Sequence, residues 1–163
     1  MFYKCVAPAL LGILLSSVAF AGPDGMVKEI DVTIDLPAVT NPAAALRYGN
    51  IAMDLKAAML ARLTDRIAEE GMRVTVDISE VELSNSFQED LGLGDTRLVG
   101  AVKVSDENDN SHFDAYELTV NVEKLRTYYP AELDLTTLTA SSDAYYTAMV
   151  DAFADGVVER LVE

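Results

Sequence analysis

The segment from Asp106 to Glu117 has the residue types and spacing of a calcium-binding loop. Oxygen-bearing side chains stand at its first, third, fifth, ninth and twelfth positions: Asp106, Asn108, Asn110, Asp114 and Glu117. The spacing matters because Ca²⁺ takes about six to eight oxygen ligands from a loop that curls around it. The chemistry that this segment suggests is therefore the binding of a hard divalent cation.

Two features of the segment depart from a calcium loop of the EF-hand type. Ser111 stands at the sixth position, where a glycine makes the sharp turn. The flanking residues have the alternation of strands, and an extended strand would carry Glu117 away from the ion. We therefore assign no metal ligand and predict a hairpin turn built from Asp and Asn. Calcium binding is kept as an alternative.

The sequence offers no convergent set of catalytic residues. His112 is the only histidine, and no Gly-x-Ser-x-Gly motif accompanies it. Glu89, Asp90 and Asp95 lie in a glycine-containing loop and could act as paired carboxylates, but neighbouring carboxylates carry little information in a chain with 27 acidic residues. We predict no catalytic residue, no cofactor and no enzymatic activity, and a carboxylate hydrolase is a lesser alternative.

Residues 1–21 have the order of a secretory signal peptide. A short start with Lys4 leads into an apolar run from Ala7 to Phe20, and Ala19-Phe20-Ala21 is a small-x-small cleavage site. Cys5, the only cysteine, lies within this segment. We expect a single domain over residues 22–163, located in the periplasm or secreted, without a thiol, disulfide or transmembrane segment.

The charge of the chain restricts its partners. The formal net charge is −15, so nucleic acid and anionic membrane surfaces should repel it. A basic protein partner or a cation would be attracted. We expect a protein partner in the cell envelope, and the sequence does not indicate the oligomeric state.

Hydrophobic periodicity and turn residues predict the elements that position these side chains. The predicted elements are a strand over Glu29–Leu36, a helix from Asn41-Pro42 to Glu70 with Gly71 as its C′ residue, a strand from Met72 with a bulge near Ser79-Glu80, a strand over Arg97–Ser105, a strand over His112–Lys124, and a helix from Ser141 or Ser142 to about Leu161. Leu133–Leu138 could add a short edge strand.

The order predicts an α+β fold, a two-layer sandwich with a mostly antiparallel four-stranded sheet and two helices on one face. The other face should be polar, acidic and rich in threonine; it should carry Asp31, Thr33, Asp35, Thr75, Asp77, Lys103, Glu117, Thr119, Asn121 and Glu123. We expect partner docking at a sheet edge, at this face or at the Ser84–Asp95 loop. A small-ligand or calcium-binding secreted protein is the alternative function.

Three features of the predicted order are informative together: the strand Ile30–Leu36 with its following helix, the hairpin formed by Arg97–Gly100 and Tyr116–Val122, and the closing helix with Tyr146 and Phe153. They carry a resemblance to the small α/β modules of the bacterial envelope, of the type seen in the TolB amino-terminal domain and in outer-membrane assembly lipoproteins. It covers most of residues 22–163 and includes no signature motif. It implies an accessory or scaffold role in the periplasm, and no site residue is carried over.

Overall fold

The computed structural model of the protein describes residues 25–34, 48–82, 97–107, 113–129 and 143–162. These residues form β1 (Val27–Ile34), α1 (Ile51–Arg62), β2 (Met72–Glu82), β3 (Arg97–Ser105), β4 (Asp114–Asn121), α2 (Val122–Leu125) and α3 (Asp143–Val162). A 3₁₀ turn follows each of α1 and α2. The predicted β-α-β-β-β-α order is confirmed, with the short α2 as an addition.

The four strands form one sheet in the order β1-β2-β3-β4. β1 pairs with β2 in parallel, and a parallel pair requires a crossover, which here includes α1. The β2–β3 and β3–β4 pairs are antiparallel. The sheet is therefore mixed but mostly antiparallel, and the predicted α+β class is confirmed.

One face of the sheet packs against α1 and α3. Successive side chains of a strand point to opposite faces, so Met72, Val74, Val76 and Ile78 of β2 all point the same way, and all are buried. They share one hydrophobic cluster with side chains of both long helices, among them Leu55, Met59, Met149, Phe153 and Val157. This cluster is the core, and it holds the sheet against the helices so that the opposite face is presented outward.

The predicted bulge in β2 is confirmed. The register between β2 and β3 shifts between Ile78 and Glu80. The extra residue reverses the side-chain phase, which is why the apolar positions change from even to odd along this strand.

The first helix ends earlier than the periodicity predicts. α1 stops at Arg62, and the Thr64 hydroxyl donates a 3.0 Å hydrogen bond to the Ala61 carbonyl. Such a side-chain bond competes with the helical one. Ile67 then forms a bridge with Val27 of β1. Gly71 is therefore not the C′ residue of a helix extending to Glu70, and that prediction is wrong.

The fourth strand is also shorter than predicted. β4 ends at Asn121, whose side-chain oxygen accepts a 3.2 Å hydrogen bond from the Lys124 backbone N–H and caps α2. The alternation of Val120 and Val122 resembles a strand, but the cap turns the chain into a helix. Glu123 consequently does not belong to the sheet.

Several predictions fall on residues outside the described ranges. They concern the leader 1–21, the Asn41-Pro42 helix start, the Ser84–Asp95 loop, the edge strand over Leu133–Leu138 and the Ser141 or Ser142 cap. The extent of the single domain likewise stays a prediction. Within the described ranges, none of the helices is long and apolar enough to span a membrane.

Candidate functional site

The outward side of the sheet is the candidate site, and we refer to it as the open face. The part of this face that carries the site comprises Asp31, Thr33, Thr75, Asp77, Ala101, Lys103, Phe113, Ala115 and Glu117. Thr75 is half-buried and the other members are exposed. Strand pairing aligns them in rows that cross the sheet, because paired residues on neighbouring strands point to the same side.

The central row is Thr33, Asp77, Ala101 and Glu117, one residue from each strand. The Thr33 hydroxyl lies 3.3 Å from the Asp77 carboxylate and 3.4 Å from the Val76 carbonyl oxygen, and it can donate its one proton to either acceptor. Glu117 lies two strands away, roughly 10 Å across the sheet. Ala101 lies between them and has only a methyl side chain. The row is thus a shallow depression with a carboxylate on each side.

The neighbouring row ends at an exposed aromatic ring. Asp31, Thr75, Lys103 and Ala115 are aligned by pairing, and the Lys103 ammonium lies 5.9 Å from the centre of the Phe113 ring. Phe113 is 60% exposed. Exposed aromatic side chains are frequent anchors at protein interfaces. The open face therefore combines carboxylates with an apolar contact point.

Ion pairs occupy the edge of this face next to Phe113. Arg73 contacts Glu29 at 3.0 Å and Glu107 at 3.4 Å, and Lys28 contacts Glu107 at 3.5 Å. Since all four side chains are well exposed, this network contributes little to stability. Its effect is to neutralise that end of the sheet, so the unbalanced negative charge lies in the central row.

The prediction of an acidic, threonine-rich and uncovered face needs correction. Lys103, Thr119 and Asn121 are confirmed on this side by their register, but Arg73 and Arg97 also point to it, and the prediction did not include them. Val99 points to this side as well, is only 7% exposed, and lies outside the core cluster. The face is therefore of mixed charge, and Val99, which pairs with Glu80 at the β2 bulge, is buried on it. Asp35 lies outside the described residues.

The structure separates the residues of the predicted calcium loop. Glu117 pairs with Ala101 of β3, and Asp106 comes five residues later, directly after the strand ends at Ser105, so about 16 Å of extended chain lies between the two positions. Asp114 points to the helical side, where it accepts a 2.8 Å hydrogen bond from Arg160 Nε. Residues 108–112, which include His112, are outside the described ranges. An EF-hand arrangement using both Asp114 and Glu117 is therefore excluded, and the described residues contain no acidic, histidine or cysteine cluster suited to a metal.

A second polar cluster joins α1 to α3, and sequence reasoning missed it. Arg62 Nε donates to Asp155, and Arg62 Nη2 donates to Asp151 at 2.9 Å. The Tyr128 hydroxyl also donates to Asp155. Asp151 and Asp155 are spaced by four residues, so they share one face of α3. That spacing was visible in the sequence, but nothing in it indicated Arg62 as the partner.

The paired tyrosines divide their roles at the amino-terminal part of α3. Tyr145 is fully buried, whereas Tyr146 is half-buried, stacks against Tyr48 at 5.4 Å and donates its hydroxyl to Asp54. Tyr145 therefore belongs to the core, and Tyr146 lies at its boundary. Tyr128 and Tyr129 are instead both half-buried.

Burial makes three tyrosines harder to ionise. It raises the pKa of Tyr116 and of Tyr129 to about 12. The pKa of Tyr128 is also raised to about 12, first by burial and then by its hydrogen bond to Asp155. All three hydroxyls are neutral at physiological pH. The Tyr128 hydroxyl bonds to Asp155, whereas those of Tyr116 and Tyr129 are buried with no hydrogen-bond partner among the described residues.

Comparison with known proteins yields only distant structural similarity. No protein family and no curated protein matches the chain. A protein from Xanthomonas campestris aligns with TM-score 0.48 and 11% identity, covering 84% of each chain. A dodecamer of a PelC variant from Paraburkholderia phytofirmans aligns with TM-score 0.46 and 12% identity over 85% of this chain and 87% of that one. A minor lipoprotein from Acinetobacter baumannii aligns with TM-score 0.38 and 13% identity, covering 83% of this chain and 92% of that one.

Proposed function

We propose that this chain is an exported, non-enzymatic accessory protein of the bacterial cell envelope that binds a basic protein partner through the open face. The sequence of residues 1–21 supports export, as does the architectural resemblance to envelope modules such as the TolB amino-terminal domain. Location in the periplasm, as opposed to secretion, is part of the proposal.

The observation that carries the proposal is the exposed central row of the sheet. Glu117 has no hydrogen-bond or ion-pair partner among the described residues, and Asp77 has at most the one from the Thr33 hydroxyl. A lysine or arginine of a partner that lies over Ala101 would contact both carboxylates. Phe113 supplies an apolar contact at the end of the same surface, 60% exposed in the isolated chain. Charge complementarity would speed association and select the partner.

The test is capture of the partner by charge-reversed protein. We expect D77K/E117K to fold normally, because exposed substitutions typically change stability by less than about 0.5 kcal/mol. The variant should fail to retain the partner that the wild-type protein enriches from crosslinked native envelopes. A matched control, D65K/E69K, makes the same change of charge at exposed positions away from the sheet face.

The apolar contact is tested separately. F113A should weaken capture about tenfold or more, since a buried aromatic anchor is worth more than about 1.4 kcal/mol. M53A is its control, because Met53 is an exposed apolar residue on α1, 65% accessible. Equal capture by D77K/E117K and wild type would refute docking at the open face.

A further inference from the structure

A cleft on the helical side of β4 is lined by apolar and polar side chains, as small-ligand sites are, and it is separate from the open face. It has a volume of about 320 Å³, within the usual range for small-ligand sites. Apolar groups contribute Leu118 of β4 with Ala152 and Gly156 of α3. Polar groups come from α2, from the 3₁₀ turn that follows it and from α3: Glu123, Lys124, Thr127, Tyr128 and Glu159.

Gly156 lets α3 approach Leu118 of β4 closely at the cleft. A Cβ at this position would lie 3.2 Å from Leu118 Cδ2, so a side chain here would press on Leu118. Glycine inside a helix costs about 1 kcal/mol relative to alanine. The glycine stands at a place where α3 packs closely against β4 and where the α3 backbone borders the cleft.

Most of the polar groups around the cleft are already fixed by the protein. Lys124 Nζ donates a 2.8 Å hydrogen bond to the Thr119 carbonyl, and the Thr127 hydroxyl donates at 3.2 Å to the Lys124 carbonyl. The Tyr128 hydroxyl donates to Asp155, and Arg62 Nε contacts the same carboxylate. The Tyr128 ring, which lines the cleft, is therefore held in position without a ligand.

Two carboxylates at the cleft are left without a partner. Glu123 and Glu159 make no hydrogen bond or ion pair with any described residue. Lys124, the one cation among the described lining residues, donates its hydrogen bond to the backbone of β4, and with Glu123 and Glu159 present the described lining keeps a net negative charge. Apolar groups, an aromatic ring and two unpaired carboxylates together match a ligand with an aliphatic stem and a cationic head.

We propose that this cleft binds an alkylguanidinium or alkylammonium group, with the stem against Leu118 and the cation between Glu123, Glu159 and the Tyr128 ring. The same chemistry is presented by an arginine or lysine side chain of a peptide and by a free small amine.

The test uses n-butylguanidinium, with n-butylurea as a neutral probe of the same shape. Amide resonances of the protein, expressed with its own leader, are followed by NMR during titration. We expect saturable shifts at Leu118, Gly156 and Glu159 with butylguanidinium, and binding of butylurea at least tenfold weaker. E123Q/E159Q should lose binding about tenfold or more. E69Q/E70Q neutralises exposed carboxylates elsewhere and should bind as wild type.

A second pair of probes identifies the source of the cation. If N-acetyl-arginine methylamide binds as tightly as butylguanidinium, the cleft accepts a side chain within a peptide. If the flanking amides abolish binding, it accepts a free small cation. The proposal is overturned if butylurea binds equally well, if E123Q/E159Q binds as wild type, or if the shifts occur elsewhere. The open-face variant D77K/E117K should bind butylguanidinium normally, so this result is separate from partner docking.

Discussion

Gly100 of β3 lies directly beneath Phe153 of α3: a Cβ at position 100 would stand 2.8 Å from Phe153 Cζ and 3.1 Å from Ile78 Cδ1. The absence of a side chain at this position lets the aromatic ring sit on the sheet. Phe153 is fully buried, so its ring has little room to move away.

We therefore expect G100A to destabilise the protein by overpacking. The loss should be about 1–3 kcal/mol, measured by urea unfolding. Combining it with F153L should recover part of the loss, because the smaller side chain makes room for the new methyl group. A double-mutant cycle in which the two losses simply add would contradict direct contact as the cause.

Gly71 provides a second prediction, this time from backbone geometry. Its φ of +147° is a value that other residues rarely adopt, and a Cβ there would lie 2.5 Å from the Met26 carbonyl oxygen. That carbonyl accepts a 2.9 Å hydrogen bond from Met72 N, which aligns the start of β2. G71A should cost about 2 kcal/mol or more in free energy of unfolding. The neighbouring exposed substitution E70A is the control and should stay within about 0.5 kcal/mol of wild type.

The strand β2 and the glycine that precedes it show which features the sequence predicts and which it does not. The alternation of Met72, Val74, Val76 and Ile78 predicted both the strand and its buried face, because periodicity reflects burial directly. Gly71 was assigned to a helix end from local pattern alone. Its actual constraint is contact with Met26, which is distant in sequence, and only the fold reveals it.

The same limit applies to the candidate site. The alternation of polar and apolar residues along the strands predicted that the open face carries Asp31, Thr33, Asp77 and Glu117. Their assembly into rows depends on the register between strands, which the bulge after Ile78 alters. The cleft next to Tyr128 could not be predicted, because the strand-like alternation around Val120 gave no sign of α2, which begins at the Asn121 cap.

Arg62 links the two long helices, so replacing it should lower the free energy of unfolding. It donates to Asp151 and Asp155 of α3 with its side chain only 26% exposed. R62M keeps the aliphatic stem but leaves both carboxylates without their cation, so we expect a loss of about 1–3 kcal/mol. Chemical denaturation would measure it, with the exposed R126M as control. A loss no larger than that of R126M would show that the ion pairs contribute no net stability.

The raised tyrosine pKa values predict a loss of stability at alkaline pH. In the unfolded chain a tyrosine has a pKa near 10.0, whereas Tyr116, Tyr128 and Tyr129 reach about 12 in the folded protein. Between these values the unfolded chain releases protons that the folded protein retains, so stability falls as pH rises from about 10 to about 12. Below pH 10 both states are protonated and the effect is absent.

Thermal unfolding followed from pH 8 to pH 12 should show Tm falling only above about pH 10. Y129F should make that fall less steep, because burial alone raises the pKa of Tyr129. Its hydroxyl is buried without a hydrogen-bond partner in the described structure, so Y129F should be neutral or slightly stabilising at pH 7. Phenolate absorbance of the folded protein gives an independent check, since these three tyrosines should ionise only near pH 12 or on unfolding. Full ionisation of every tyrosine near pH 10 in the still-folded protein would show that burial does not protect them.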